Sequence, residues 1–210
     1  MKNYCDELHQ LCANLPKYRY PFKDAAFPEN GIYIVFEDGE TAHGTDRIVR
    51  VGTHTGRNNL KARLSEHFYT ERKDRSIFRK NIGRAFLNKA NDSYLPIWNI
   101  DCTVRKNREW YKDKIDTEKE QKIEKQVSKY IRKHISFAVL PIDDKDKRLA
   151  LESKIVSTIS LCEECKASKH WLGILSPKDK IKNGKLWQEQ GTGISLTAED
   201  MKLLRKTLSK

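Results

Sequence analysis

Hydrophobic positions recur along this chain with two periods, and each switch between them marks an element. Leu8, Leu11, Cys12 and Leu15 fall at helical spacing within residues 3–15, which predicts a short amphipathic helix. Pro16, Pro21 and Pro28 interrupt any period, so Lys17 to Asn30 reads as an irregular approach. Gly31–Glu37, GIYIVFE, is dense in β-branched and aromatic residues and predicts a strand. Asp38-Gly39 supplies a turn, and Arg47–Val51, closed by Gly52, is a second strand expected to pair antiparallel with the first. Leu60, Leu64 and Phe68 form one helical stripe over Asn58–Phe68, and Phe78, Ile82, Ala85 and Phe86 repeat it over Ser76–Lys89. Tyr94–Thr103 is compatible with a third strand or with a loop. Thr117-Glu118-Lys119-Glu120 has the form of a capping box, opening a helix that carries Ile123, Val127, Tyr130 and Ile131. A strand follows at Ser136–Ile142, then a helix at Lys147–Cys162 with Leu151, Ile155, Thr158, Ile159 and Cys162 inward. Lys166–Gly193 is irregular around Trp171 and Trp187, and Thr197–Leu208 closes as a helix with Met201, Leu204 and Leu208 inward.

Strands and helices thus alternate around one small sheet. The fold class is α/β (α+β), with a small mixed, mainly antiparallel central sheet flanked by helices. The 210 residues suit a single domain, 1–210, large enough to bury a real core. Residues 104–134 are highly charged and bring their own helix, as an insertion would. Composition sharpens the picture: 38% of residues are hydrophobic, 33% are charged, and the formal net charge is +12. A positive excess of this size favours an anionic partner, because neutralising phosphates releases counterions and steers encounter. The N-terminal MKNYCDELHQLC lacks a signal-like apolar run, and no stretch is long enough to span a bilayer. Five scattered cysteines do not form a disulfide framework, which makes a reducing cytoplasm the expected compartment.

Some polar side chains flank these apolar stripes. Arg63 and His67, spaced i, i+4, share the helix face beside Leu60, Leu64 and Phe68. As isolated residues they read equally as stems covering the core. Glu152 stands on the flank of Val156 and Ile159, where a carboxylate needs a partner, a cation or a raised pKa; Arg148, at i−4, could pair with it. Together these groups have another meaning. Phosphodiester hydrolysis needs a proton acceptor for water, a cation on the nonbridging oxygens and help for the leaving alkoxide. Tyrosine or histidine serves the proton steps, arginine grips phosphate, and a carboxylate-held divalent ion acts as Lewis acid.

Four features in order carry a resemblance. Gly31-Ile32-Tyr33 is a literal GIY triplet at the start of a strand, and Arg50-Val51-Gly52 ends nineteen residues after Tyr33. Asn59 to His67 resembles an arginine-plus-four helix, and Leu151-Glu152-Ser153-Lys154-Ile155 resembles a metal-binding glutamate helix. The chain resembles the GIY-YIG nucleases over residues 30–90 and 135–165, with 166–210 as an extension. The resemblance implies that Tyr33 helps activate the attacking water, Arg63 stabilises the phosphate and His67 assists proton transfer or orients the phosphate. It also implies that Glu152 holds one divalent ion, Mg2+ or in its place Mn2+, which keeps much of its water. Arg50 replaces the second tyrosine of the family pattern. Arginine does not accept a proton, so Arg50 would contribute charge instead, or else face solvent. No asparagine lies soon after Glu152, a departure from several branches. His170-Trp171-Leu172-Gly173 through Ser176-Pro177 is similar to the type II restriction branch and places His170 either near the site or in a plain loop.

From Arg47 to Lys89, twelve Lys and Arg stand against three acidic residues. Arg57, Lys61, Lys73, Arg75, Arg79, Lys80 and Arg84 are the candidates for tracking the phosphates of double-stranded DNA, with a solvated helix face as the plain alternative. The four tryptophans suit core or interface better than base stacking. His54 is a loop residue that could contact phosphate. Cys162-Glu163-Glu164-Cys165 has CxxC spacing without a second pair to complete a zinc site, leaving His170 and one other cysteine as the only helpers. The implied activity is a restriction-type endonuclease, cutting both strands as a homodimer or by sequential nicking. The alternative is a non-catalytic nucleic-acid-binding protein that keeps the fold.

Overall fold

A computed structural model describes residues 4–23, 25–189, 191 and 193–208. Helix α1 spans Cys5–Ala13; the expected start at residue 3 lies outside the described residues. A two-residue strand β1 (Tyr18–Arg19) leads to β2 (Gly31–Ala42) and β3 (Thr45–Gly52). Helices α2 (Leu60–Phe68), α3 (Ile77–Lys89), α4 (Leu95–Trp98), α5 (Arg105–Tyr111) and α6 (Thr117–His134) follow. Strand β4 (Ile135–Pro141) and helix α7 (Lys145–Ser160) complete the core, and α8 (Asp179–Gly184) and α9 (Ala198–Leu208) close the chain.

The sheet order is β1-β4-β2-β3. Every described pairing is antiparallel, so the mixed sheet expected from sequence is purely antiparallel among the described residues. The direction of β4 is set by where the helical excursion α2–α6 returns the chain, which local periodicity does not encode. The β2–β3 hairpin also runs further than expected. Asp38-Gly39 lies within β2, where the pairing register shifts, and the reversal falls at His43-Gly44. Both of those residues have positive φ, 52° and 72°, the backbone twist that a tight hairpin turn demands.

Side chains alternate across β2 and both faces are covered. Tyr33 and Val35 join a first cluster with Leu60, Leu64, Phe78, Ile82 and Val127 from α2, α3 and α6. Ile32, Ile34 and Phe36 join a second with Leu8, Leu151, Ile155 and Met201 from α1, α7 and α9. The region around Tyr94 holds α4 in place of the expected strand or loop. Pro96 sits in its first turn, where no amide is needed, and Trp98 packs so tightly on α3 that a Cβ at Gly83 would lie 2.4 Å from its ring. The capping box at Thr117 does not form: Asp116 caps α6 by accepting from the Lys119 amide at 2.9 Å. Among the described residues no helix is long and apolar enough to cross a membrane.

Candidate active site

The hairpin register places Tyr33 opposite Gly52 and Val35 opposite Arg50, so Tyr33 and Arg50 share the first face. Gly52 is required by this arrangement: a Cβ there would fall 2.2 Å from the Tyr33 hydroxyl oxygen. Tyr33 is buried, and its hydroxyl lies 2.8 Å from His67 Nε2. His67 Nδ1 is 2.6 Å from Ser76 Oγ, which also accepts from the Arg79 amide as the cap of α3. Burial drives the His67 pKa well below its ordinary value, and the nearby positive charges of Arg50, Arg63 and Arg79 push it the same way. His67 is therefore neutral, with a lone pair available at neutral pH.

Arg63 is half-buried between Tyr33 and Glu66. Burial opposes its charge, but the Tyr33 oxygen and the Glu66 carboxylate outweigh it and raise its pKa. It donates to Glu66 Oε2 at 2.7 Å and to the Arg75 carbonyl at 2.9 Å. Arg50 is 5% exposed, so it is not a solvent-facing strand residue. It donates to the Trp187 carbonyl at 2.7 Å and stacks on Phe78 at 5.3 Å, while its buried Nε has no hydrogen-bond partner among the described residues. The 187–188 segment lies along the β3 edge, with Trp187 N donating to the Val49 carbonyl and Gln188 Oε1 accepting from the Val51 amide.

Glu152 comes to this cluster from α7, packed against the other face. Strand β3 is the sheet edge, and the charges of Arg50 and Arg63 on the first face act on the Glu152 carboxylate around that edge. Burial raises the Glu152 pKa, and the charges of Arg50 and Arg63 partly offset that rise. Among the described residues Glu152 makes no hydrogen bond and no ion pair. Arg148, its expected partner, instead donates to the carbonyls of Ile142, Asp143 and His54. A half-buried carboxylate that faces two cations yet bonds neither suits a hydrated divalent ion, which brings its own water and needs few protein ligands.

The basic residues divide sharply. Arg57, Lys61 and Arg75 are exposed. Lys73, Arg79, Lys80 and Arg84 are buried, and the expectation that they track DNA phosphates is corrected accordingly. Arg79 binds Glu124 Oε2 at 2.6 Å and donates to the His67 carbonyl at 3.0 Å. Lys73 and Lys80 share Asp74 and the Ile100 carbonyl, and Arg84 pairs with Glu189 at 3.1 Å. Arg79, Lys80 and Arg84 lie off the main apolar stripe of α3, but α4, α6 and the Glu189 segment cover them. His54 is buried as well, accepting from the Gly31 amide and donating to the Gly56 carbonyl, which ties the loop to the start of β2. His170 is exposed, and among the described residues no contact links it to the site. Trp171 and Trp187 are core residues whose indole nitrogens both donate to Glu37 Oε2.

Sequence reasoning missed Ser76, the Trp187 carbonyl and the structural part of Arg79. Ser76 is legible as a helix cap, but its contact with His67 depends on how α2 and α3 fold together.

A buried tyrosine–histidine pair, two arginines and an unpaired carboxylate thus gather on and around the β2–β3 hairpin of the sheet. The chain belongs to the GIY-YIG family, whose GIY-YIG domain model matches residues 2–210. This is a family of nuclease domains, and the match extends through the helical additions as well as the core. Comparison with curated proteins and with solved structures gave no match.

Proposed function

We propose that this chain is a metal-dependent endonuclease that hydrolyses phosphodiester bonds of double-stranded DNA in a restriction-type role. The observation that carries the reading is the convergence of Tyr33 and Arg50 from the hairpin, Arg63 and His67 from α2, and Glu152 from α7. These groups are up to 119 positions apart in sequence, and packing of the apolar core alone does not call for polar groups to meet there.

Each side chain has a distinct part. The positive charge of Arg63 faces the Tyr33 oxygen, which leaves the Tyr33 proton directed at His67 Nε2. In that arrangement His67 carries its proton on Nδ1 and donates it to Ser76 Oγ. As the Tyr33 hydroxyl passes its own proton to His67 Nε2, its oxygen can take one from the attacking water. Arg63 and the unpartnered Nε of Arg50 are the donors for the nonbridging oxygens. Glu152 would hold the divalent ion, Mg2+ or Mn2+, which supplies Lewis-acid stabilisation of the leaving oxygen. Arg57, Lys61 and Arg75, which remain exposed, are the proposed phosphate contacts outside the centre. One such centre cuts one strand, so a double-strand break requires a homodimer or two successive nicks.

Incubation with supercoiled plasmid and Mg2+ tests the proposal. Nicked and linear products that vanish with Glu152→Gln and with Tyr33→Phe are expected. Unchanged plasmid with wild-type protein that binds duplex would leave a binding protein and remove the enzyme.

A further inference from the structure

On the opposite face of the sheet from Tyr33, five metal-competent side chains from three parts of the chain meet. Cys5 and His9 come from α1, His43 from the hairpin turn, and Cys162 and Cys165 from the segment after α7. The donor atoms of Cys5, His9, His43 and Cys165 all lie within 4.8 Å of one another. Individual separations are 3.4 Å for Cys5 Sγ to Cys165 Sγ, 3.5 Å for Cys162 Sγ to His43 Nε2, and 3.6 Å for Cys165 Sγ to His9 Nε2. A tetrahedral zinc ion with ordinary Zn–S and Zn–N bonds holds its donors roughly 3.3–3.8 Å apart. The Cys5–Cys165 and Cys162–His43 separations fall in that range, and the group of Cys5, His9, His43 and Cys165 as a whole stays within 4.8 Å.

We propose that this cluster is a structural zinc site whose ligands are Cys5, Cys162, Cys165 and Nε2 of His43. The choice among the five donors follows from their other bonds. His9 Nδ1 donates to the Cys5 carbonyl at 2.8 Å, and its Nε2 accepts from the Ile48 amide at 3.2 Å, so both nitrogens are in use. His43 turns Nε2 towards the sulfurs and Nδ1 towards Glu164 Oε2 at 3.3 Å. A carboxylate behind the imidazole fixes the tautomer in which Nε2 carries the lone pair for a metal. His9 then packs its ring against His43, with centroids 5.0 Å apart, as support for the ligand.

The site is closed. Cys5, His9 and Cys165 are fully buried and Cys162 is nearly so, which leaves no open position for water or substrate. A closed site with three thiolates and an imidazole is structural zinc chemistry, in contrast to the hydrated oxygen-ligand ion at Glu152. It would tie α1, the hairpin tip and the end of α7 together. A zinc site built on Cys162 and Cys165 with His170 does not form, because His170 is exposed elsewhere while Cys5 and His43 occupy the position.

The test is metal analysis of full-length protein purified without chelator and under reductant. About one zinc per chain is expected. Cys165→Ser and His43→Ala should lose it, whereas His9→Gln and Glu152→Gln should keep it. A chelator strong enough to strip the metal should lower the thermal midpoint of the wild type. Should the variants fail to fold, metal-free wild-type protein titrated with Co2+ should develop the intense visible bands of a tetrahedral thiolate site. Absence of those bands, a Cys5–Cys165 disulfide in the isolated protein, or zinc retained by Cys165→Ser would overturn the site. Loss of zinc in His9→Gln but not in Cys162→Ser would overturn the ligand set. None of these readouts depends on nuclease activity, so failure here leaves the endonuclease reading standing.

Discussion

Two arginines adjoin His67, and their surroundings could hardly differ more. Arg79 sends Nε and Nη2 to Glu124, its other donors to the carbonyls of His67 and Glu124 and the hydroxyl of Ser128, and carries no unmet nitrogen. Arg50, on β3, bonds one carbonyl and stacks on one ring, and its buried Nε is unpaired. The same contrast separates the two regions that contain them. Between α3, α4 and α6, each buried cation meets a carboxylate: Lys73 and Lys80 meet Asp74, and Arg79 meets Glu124. Between β3, α2 and α7, two guanidiniums and the Glu152 carboxylate face one another without an ion pair to Glu152. Buried Glu124 Oε1 and Arg148 Nε also lack a hydrogen bond among the described residues, as Arg50 Nε does, so what sets the second region apart is the Glu152 carboxylate, which no cation pairs although Arg50 and Arg63 lie near it.

Substitutions can break this contrast, and the largest effect should be on stability. Arg79→Met leaves the Glu124 carboxylate buried without its partner, a loss of about 3–5 kcal/mol. Differential scanning calorimetry should show a thermal midpoint lower by roughly 10 °C. A shift of a degree or two would mean that Arg79 is not the strut described.

Next come the site residues, which should show the reverse pattern. Arg63→Ala and Glu152→Gln are expected to lower the single-turnover cleavage rate roughly 100- to 1,000-fold. Glu152→Gln should leave the midpoint unchanged or higher. The folded-state pKa of Glu152 is raised, so its contribution to stability is present below the unfolded pKa and lost as pH rises through the folded one. As pH rises through the folded pKa the desolvated carboxylate comes to oppose folding, and the amide removes that opposition. Midpoint curves against pH for both proteins should diverge as pH rises; parallel curves would show that Glu152 is not desolvated.

Arg50→Met removes one charge-assisted donor and should slow cleavage about 10- to 100-fold with duplex affinity nearly intact. His67 tests the same region through acid. Its folded pKa is depressed, so stability is full above the unfolded value of about 6.5 and falls as the solution is acidified below it. His67→Gln should flatten that part of the profile. The smallest effects belong to the exposed cations: Arg57→Ala and Lys61→Ala should each reduce the salt slope of duplex binding by about 1 and leave the cleavage rate of bound DNA unchanged.

Much of the fold was readable because the periods were clean. The GIYIVFE strand, the stripe of Leu60, Leu64 and Phe68 and the closing helix around Met201 and Leu204 appear where the pattern places them. The site motifs were readable for a different reason: glycine at position 52 and arginine four residues before His67 are local features tied to one geometry. The basic α3 residues misled because a cation off the apolar stripe reads as exposed unless a second layer covers it. Here Glu124 and Glu189 provide that cover from distant segments, and Asp74 from the turn just before α3. His43, Cys5 and Cys165 were equally opaque, since 38 and 122 positions separate them in order along the chain.

Local chemistry in the chain determined which segments become helix or strand and which family the site belongs to, because periodicity and short motifs act between near neighbours. Whether a charged side chain is paired inside the fold or left without an ion pair was decided by tertiary structure alone. That outcome depends on the free energy of removing each charge from water, and only the folded neighbours of Arg79, Arg50 and Glu152 set how much of it is recovered.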